Sequence, residues 1–381
     1  MSFFNILKTE VRAIFKDIDI VLTLFGGIII YAFFYPQPYL NQSVTEVKVA
    51  IVDLDRSKTS RDVSYMIEAS PQTKILNYYN SIKEAQDAIV ENKIKGFIVI
   101  PASFERNLYL NKMPTISIGG DNNYFLLNKA VTTSAIKALL NTSAKFKVMN
   151  TLAQNASIKS AEKNINMFTF ETHNLFNPDE SYKLYVIPAV FVIILQQMFL
   201  MGTALLSAGY AEKLARGECI KGSGYFLPIV ARVLLFTTLF IVYEMFYFGY
   251  VFEFFNIYKL SNIYDLLSFG TLYALSVVSM GLALGAVVKK RAYVTPIVLI
   301  TSLPLVFSAA FVWPLQEVEE LVLLTSLFFP SNPATLGFVS MNQMGASLSD
   351  VIVQYGLLAL QVVFYMAIYV YVLNKEKSDI M

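Results

Sequence analysis

The chain has 381 residues, 55% of them hydrophobic and 15% charged, with a mean hydropathy of +0.52. That balance excludes an ordinary soluble globular protein and an intrinsically disordered one, and is membrane-class. The formal net charge of +2 gives no general attraction for nucleic acid.

In chain order, residues 2–16 place Phe3, Ile6, Leu7, Val11, Ile14 and Phe15 at helical spacing with charges between them. This pattern fits an interfacial amphipathic helix lying under the membrane, or a cytoplasmic extension of the span that follows. A helix needs about 20 apolar residues to cross the hydrocarbon core. Candidate spans run over Ile18–Tyr35, Leu184–Leu206, Ile229–Phe252, Leu266–Val288, Tyr293–Trp313 and Val351–Leu373. The first has the basic flank of a signal peptide, but it is long, ends in aromatics and Pro36, and lacks a small-residue cleavage site.

Lys and Arg in short loops mark the cytoplasmic side. Lys8, Arg12 and Lys16 precede the first span, and Lys213, Arg216, Lys221 and Arg232 lie in or beside the loop after the second. Lys289, Lys290 and Arg291 follow the fourth span, and Lys375 and Lys377 the sixth. The alternate loops carry only Lys259, with no Lys or Arg over 314–350. Both termini are therefore expected in the cytoplasm, with the long segment after the first span outside.

Within that segment, residues 47–53 and 73–79 read as strands, and about 58–69 and 81–91 as helices. Ser81 and Glu84 have capping-box spacing. Gly96–Ile100 is wholly apolar, as for a strand buried on both faces. A strand at about 115–119 precedes Asp121-Asn122-Asn123, which can cap a helix of about 124–155. The alternation argues for a small α/β domain on helical stalks. The lone cysteine, Cys219, falls outside it, so the domain relies on its core rather than on disulfides. The single His173 argues against a metal site, and the sequons at Asn41, Asn141 and Asn155 are of a kind that arises by chance.

The turn Asp53-x-Asp55-x-Ser57 resembles the nucleophile loop of haloacid-dehalogenase-type phosphotransferases, yet no partner Lys and metal-binding Asp pair accompanies it. Short acidic side chains at a strand end close turns and cap the next helix, so Asp53, Asp55 and Ser57 are read as structural.

The chain carries no phosphate-binding G-x-x-x-x-G-K-[ST] loop, so active transport would draw its energy from another subunit or an ion gradient. Gly281-x-x-x-Gly285 is a small-residue packing pattern, suited to internal packing or to dimerisation. Glu244 lies about a dozen residues past Arg232, roughly 18 Å of helix, and an intramembrane acid is a functional candidate. Glu244, Gln196 and Gln197 are the candidate polar residues of a translocation path, the two Gln being better suited to join helices. Pro188, Pro228, Pro296 and Pro304 can kink or start spans. Loop 207–227 is long enough for a short helix and a turn. Segment 313–350, broken by Pro314, Pro330 and Pro333, reads as re-entrant or interfacial around Glu319–Phe329.

The expected architecture is a polytopic α-helical membrane protein, six spans as one plus five, with an inserted extracytoplasmic α/β domain. Its parts are a cytoplasmic amphipathic helix (1–17), a first span (18–36), the extracytoplasmic domain with its stalk (37–182), a five-span bundle (183–374) and a cytoplasmic tail (375–381).

Nearly the whole chain resembles a type-2 ABC exporter permease of the subgroup with a large outer domain between its first two spans. VAIVDLDRSKTSR (49–61), IKGFIVIPASFERNL (94–108) and ISIGGDNNYF (116–125) are similar to that family's strand–Asp–x–Asp–x–Ser turn, its IP–x–x–F segment and its D-x-x-N segment. Residues 211–218 (AEKLARGE) fall where the family carries its coupling helix, and Phe311–Asn332 resembles its outer re-entrant hairpin. The family commonly reads Arg-Glu-x-Glu-x-Gly-Thr in the coupling loop. Here Ala211 replaces the Arg, Ala215 the second Glu and Glu218 the Thr, while Gly217 and Pro228 remain.

The resemblance implies that Glu212, Lys213, Arg216, Gly217 and Glu218 meet a cytosolic ABC ATPase that holds ATP and Mg, with no cofactor on this chain. It implies a second permease copy or homologue, surrounding lipids and, in Gram-negative cells, a periplasmic adaptor. The location implied is the bacterial inner membrane. The activity implied is ATP-driven export of a hydrophobic or amphipathic compound, drug-like or lipid-like. A membrane-anchored receptor with an outer ligand domain is the alternative, though a receptor is expected to carry a cytoplasmic output domain. A secondary transporter would be expected to show an inverted repeat, and a membrane enzyme a catalytic set.

Overall fold

The computed structural model describes residues 3–40, 45–110, 112, 114–120, 125–153, 176–177, 181–216, 226–309 and 319–380. The chain divides into two compact units, one of Met1–Leu40 with Leu175–Met381 and one of Asn41–Asn174.

The first unit is helical. Helix α1 (Phe3–Lys16) precedes six helices long and apolar enough to cross a membrane. These are α2 (Ile18–Tyr39), later α7 (Lys183–Ala215 within Tyr182–Ala215), α8 (Phe226–Phe254), α9 (Ile263–Val288), α10 (Arg291–Ser308) and α13 (Ile352–Lys375 within Ile352–Ile380). The polytopic helical architecture expected from hydropathy is thus present. Between α10 and α13, α11 (Glu320–Ser326) and α12 (Ser331–Met344) meet at a bend of 88°, and Pro330 stands at the break. A re-entrant pair has this form, and it is longer than the Glu319–Phe329 piece expected. Trp313, Pro314 and Glu317 lie outside the described residues.

Two boundaries differ from expectation. Residues 207–215 of the expected loop are not a separate short helix, because α7 runs unbroken to Ala215. Ala204, Ala208 and Ala211 are buried and the run holds no Gly or Pro after Gly209, so nothing stops the helix. Likewise α13 continues through the charged stretch to Ile380, where Lys375, Glu376 and Lys377 are good helix formers.

Helix α7 is the axis of the bundle. Its span window is 83% buried, against 22% for α10 and α13, so the other spans coat it. Close approach of α9 to α7 depends on Gly281 and Gly285. A Cβ at Gly281 would overlap the Thr203 hydroxyl, and one at Gly285 would overlap the Ala204 carbonyl. The small-residue pattern therefore serves packing inside the chain.

The second unit is an α/β domain. Strands β1 (Val47–Asp53), β2 (Thr73–Tyr79), β3 (Gly96–Ile100) and β4 (Ser117–Gly120) form one sheet in the order β2-β1-β3-β4. The pairs β1–β2 and β1–β3 are parallel, and β3–β4 is antiparallel. Alternation along β1 sends Val47, Val49 and Ile51 to one face, where α3 (Lys58–Glu68) and α6 (Phe125–Ala153) cover them with Val63, Ile67, Val131 and Ala135. Ala50 and Val52 face the other side, covered by Ala85 and Ala88 of α4 (Ile82–Val90). Helix α5 (Phe104–Tyr109) follows β3, all five of whose residues are buried. Ser81 caps α4 through the Glu84 N–H at 3.2 Å, while Glu84 returns to the Asn80 N–H rather than to that of Ser81. Asp121, Asn122 and Asn123 lie outside the described residues.

Candidate functional site

At one end of the bundle the charged segments converge on the last turns of α7. Arg291, the first residue of α10, holds Asp17 in a two-pronged ion pair, with Nη1–Oδ2 at 2.5 Å and Nη2–Oδ1 at 2.8 Å, and reaches Asp19 Oδ2 at 3.4 Å. Its backbone N–H donates to Glu212 Oε1 at 2.9 Å. The first N–H groups of a helix have no partner inside it and carry partial positive charge, so Glu212 on α7 caps α10 from outside. Burial pushes the Asp17 carboxyl up, but the hydrogen bond and charge of Arg291 with two backbone N–H groups outweigh it and leave Asp17 below its ordinary value.

Two residues earlier, Tyr210 enters a second and drier cluster. Its hydroxyl donates to Glu10 Oε2 at 3.0 Å, and Arg232 Nε donates to Glu10 Oε1 at 3.0 Å. Arg232 Nη1 donates to the Tyr369 hydroxyl at 3.2 Å, and its guanidinium lies 3.6 Å over the Tyr210 ring. Glu10 is 3% and Arg232 7% exposed. This network joins α1, α7, α8 and α13. Arg232 is thus no loop cation: it lies inside the third span, where the paired acid offsets its desolvation. Helix α1 turns Ile6, Glu10 and Ile14 to the bundle and leaves Phe4 and Phe15 exposed, so its buried face has a charge at its centre.

Among the expected loop residues, Glu212 sits in the first cluster, Lys213 lies 5.7 Å over the Tyr210 ring and Arg216 ends α7. Gly217 and Glu218 lie outside the described residues. Neither cluster sets a nucleophile beside a base. The geometry is mechanical: the end of α7 is tied to α1, α8 and α13 through Tyr210, and to α2 and α10 through Glu212 and Arg291.

The three polar residues expected along a path separate. Gln196 Oε1 accepts the Ser331 N–H and so holds the start of α12 against α7. Gln197 is buried with neither amide atom bonded among the described residues. Glu244 on α8 is fully buried, and neither carboxyl oxygen has a hydrogen-bond partner among the described residues. A Cβ at Gly270 of α9 would fall on that carboxyl.

In the inserted domain, Asp53 Oδ1 accepts the N–H groups of Asp55 and Arg56 at 3.0 and 2.9 Å, and Oδ2 accepts the Ser60 hydroxyl at 2.6 Å. Asp55 accepts the N–H groups of Phe104 and Glu105, both at 3.0 Å. Ser57 caps α3 through the Ser60 N–H at 3.0 Å. Every carboxyl oxygen of the pair is engaged in holding backbone or a neighbouring hydroxyl, as a turn requires.

Sequence reasoning passed over Glu10, Asp17, Tyr210 and Arg291 as site residues. The legible signal for Glu10 was an acid amid the apolar stripe of α1. Its partner is 222 positions away, where no local pattern reaches.

Residues 19–371 match the family model described as ABC-2 family transporter protein, a stretch that takes in both the inserted domain and the six spans. No curated protein matches the chain. With most of its length covered, the chain belongs to the ABC-2 transporter family as a membrane permease.

Proposed function

We propose that this permease is the transmembrane half of an ATP-driven exporter that moves a hydrophobic or amphipathic compound out of the cytoplasm or inner leaflet. The observation that carries the reading is the attachment of Glu212, within the expected coupling loop, to the first residue of α10. A push on the end of α7 is transmitted at once to α10 through Glu212, to α2 through Arg291 and Asp17, and to α1, α8 and α13 through Tyr210. Force delivered by an ATPase at 207–227, Glu218 included, would shift most of the bundle together.

In this reading the ATPase holds ATP and Mg, and the chain works with a second copy or homologue. Its cationic loops face the cytoplasm of a bacterium with both termini, and the α/β domain lies outside the inner membrane, within reach of a periplasmic adaptor. The basic residues around Arg291 and the tail support that orientation.

The test is reconstitution with the co-purified ATPase in proteoliposomes. Glu212→Ala and Arg291→Ala are expected to keep the ATPase bound and hydrolysing while lowering ATP-driven transport about tenfold or more, the weight of a lost charge-assisted bond. Wild-type transport by both variants would overturn the coupling assignment. An impermeant maleimide on intact cells tests the orientation: with Cys219 replaced, Lys93→Cys should label and Lys290→Cys should not.

A further inference from the structure

Glu244 is a fully buried ionisable group that the coupling geometry does not use. It stands on α8 with Phe240 one turn before it and Phe248 one turn after. These two are joined by a continuous arc of rings: Phe240 meets Tyr273 at 5.2 Å between centroids, Tyr273 meets Phe338 at 5.7 Å, and Phe338 stacks on Phe248 at 4.9 Å. Opposite the carboxyl is Gly270, one turn from Tyr273, which leaves the acid against bare backbone. The Tyr273 hydroxyl is already engaged, donating to the Val192 carbonyl at 2.7 Å, so it does not serve the acid. Just past Glu244, α8 loosens into a π-helical stretch, Phe246–Val251, a form found frequently at functional sites.

An apolar bundle gains nothing from such an acid. A carboxyl without hydrogen bonds in hydrocarbon-like surroundings costs several kcal/mol, and a glutamine or leucine would fill the same place more cheaply. The arrangement becomes favourable when a ligand brings positive charge and N–H donors to the carboxylate and an apolar body to the ring arc. Aromatic faces attract cations as well. A neutral amphiphile leaves the acid unpaired, and a small hydrated cation leaves the rings unmatched. We propose that Glu244 is the recognition residue for a lipophilic amine, bound as its ammonium form when α8 separates from α9 at Gly270. This deepens the export reading above by naming its cargo class, and it rests on that reading only for the direction of movement.

The test measures binding to the full-length chain in lipid nanodiscs, without ATP or an ATPase. The probes are a fluorescent long-chain primary amine and its N-acetyl derivative, which share a body and differ in charge. Wild type is expected to bind the amine about tenfold or more tighter, and Glu244→Gln to bring the two within about threefold. In wild type, the amine should also protect Glu244 from a hydrophobic carbodiimide, read by peptide mass spectrometry, while the N-acetyl compound should not; this arm needs no variant to fold. A preference that survives Glu244→Gln, no preference in wild type, or no protection by the amine would overturn the assignment. Binding preference without ATP-driven transport would count against the export reading alone.

Discussion

The inserted domain and the membrane bundle treat their acids in opposite ways. Asp53 and Asp55 give all four carboxyl oxygens to nearby N–H and O–H groups, and the result is a locked turn with a firmly started α5. Glu244 is more deeply buried than either, yet both its oxygens are unbonded among the described residues. Between these extremes stand the two ionic clusters at the end of the bundle, where each acid meets an arginine. The contrast separates acids that hold the fold from one kept at the fold's expense. Stability measurements on full-length variants can break that division or sharpen it.

The largest effect is expected at the dry cluster. Arg232→Ala leaves Glu10 buried without its cation and should cost about 3–5 kcal/mol, seen as a drop in thermal unfolding temperature. Glu10→Ala should cost a comparable amount, and the double variant less than the two combined, because removing both partners leaves no orphaned charge. Next comes Asp55→Ala, which frees two N–H groups at the start of α5. It should cost about 2–3 kcal/mol, and protease nicking should concentrate near residues 103–110.

Asp17 should matter less, since water screens its partly exposed pair. Asp17→Asn is expected to cost about 1 kcal/mol or less at neutral pH. The sign with pH follows from its lowered folded value: the contribution is present above the ordinary carboxylate value of 3.8 and is lost as pH falls below it. The gap between wild type and Asp17→Asn in acid-dependent unfolding should therefore close only in that strongly acidic range. The smallest cost should come from Glu244→Gln, which is expected to be neutral or stabilising because no bond is lost and an unpaired buried carboxyl is removed. A large destabilisation there would place Glu244 among the structural acids and erase the contrast.

Much of the architecture was legible in one dimension. Hydrophobic runs of membrane length marked six helices, because a helix that satisfies its own backbone and shows only apolar side chains has little choice of place. The period-two and wholly apolar segments marked the strands, with a small offset at β4. The turn at Asp53, Asp55 and Ser57 was legible too, since a turn is closed by residues a few positions apart. Helix ends were less legible. α7 and α13 outran their apolar cores because charged residues with good helix propensity extend a helix without lengthening its hydropathy signal.

Composition and local pattern were thus sufficient for the spans, the α/β insertion and its turn, all of which depend on neighbours along the chain. The pairing of Glu10 with Arg232 and the capping of α10 by Glu212 depend on helices that meet across 222 and 79 positions, and the isolation of Glu244 depends on how α8 packs against α9. No periodicity encodes such meetings. They are settled when α7 packs at the centre and the other helices close around it, which decides for each buried charge whether a partner is within reach.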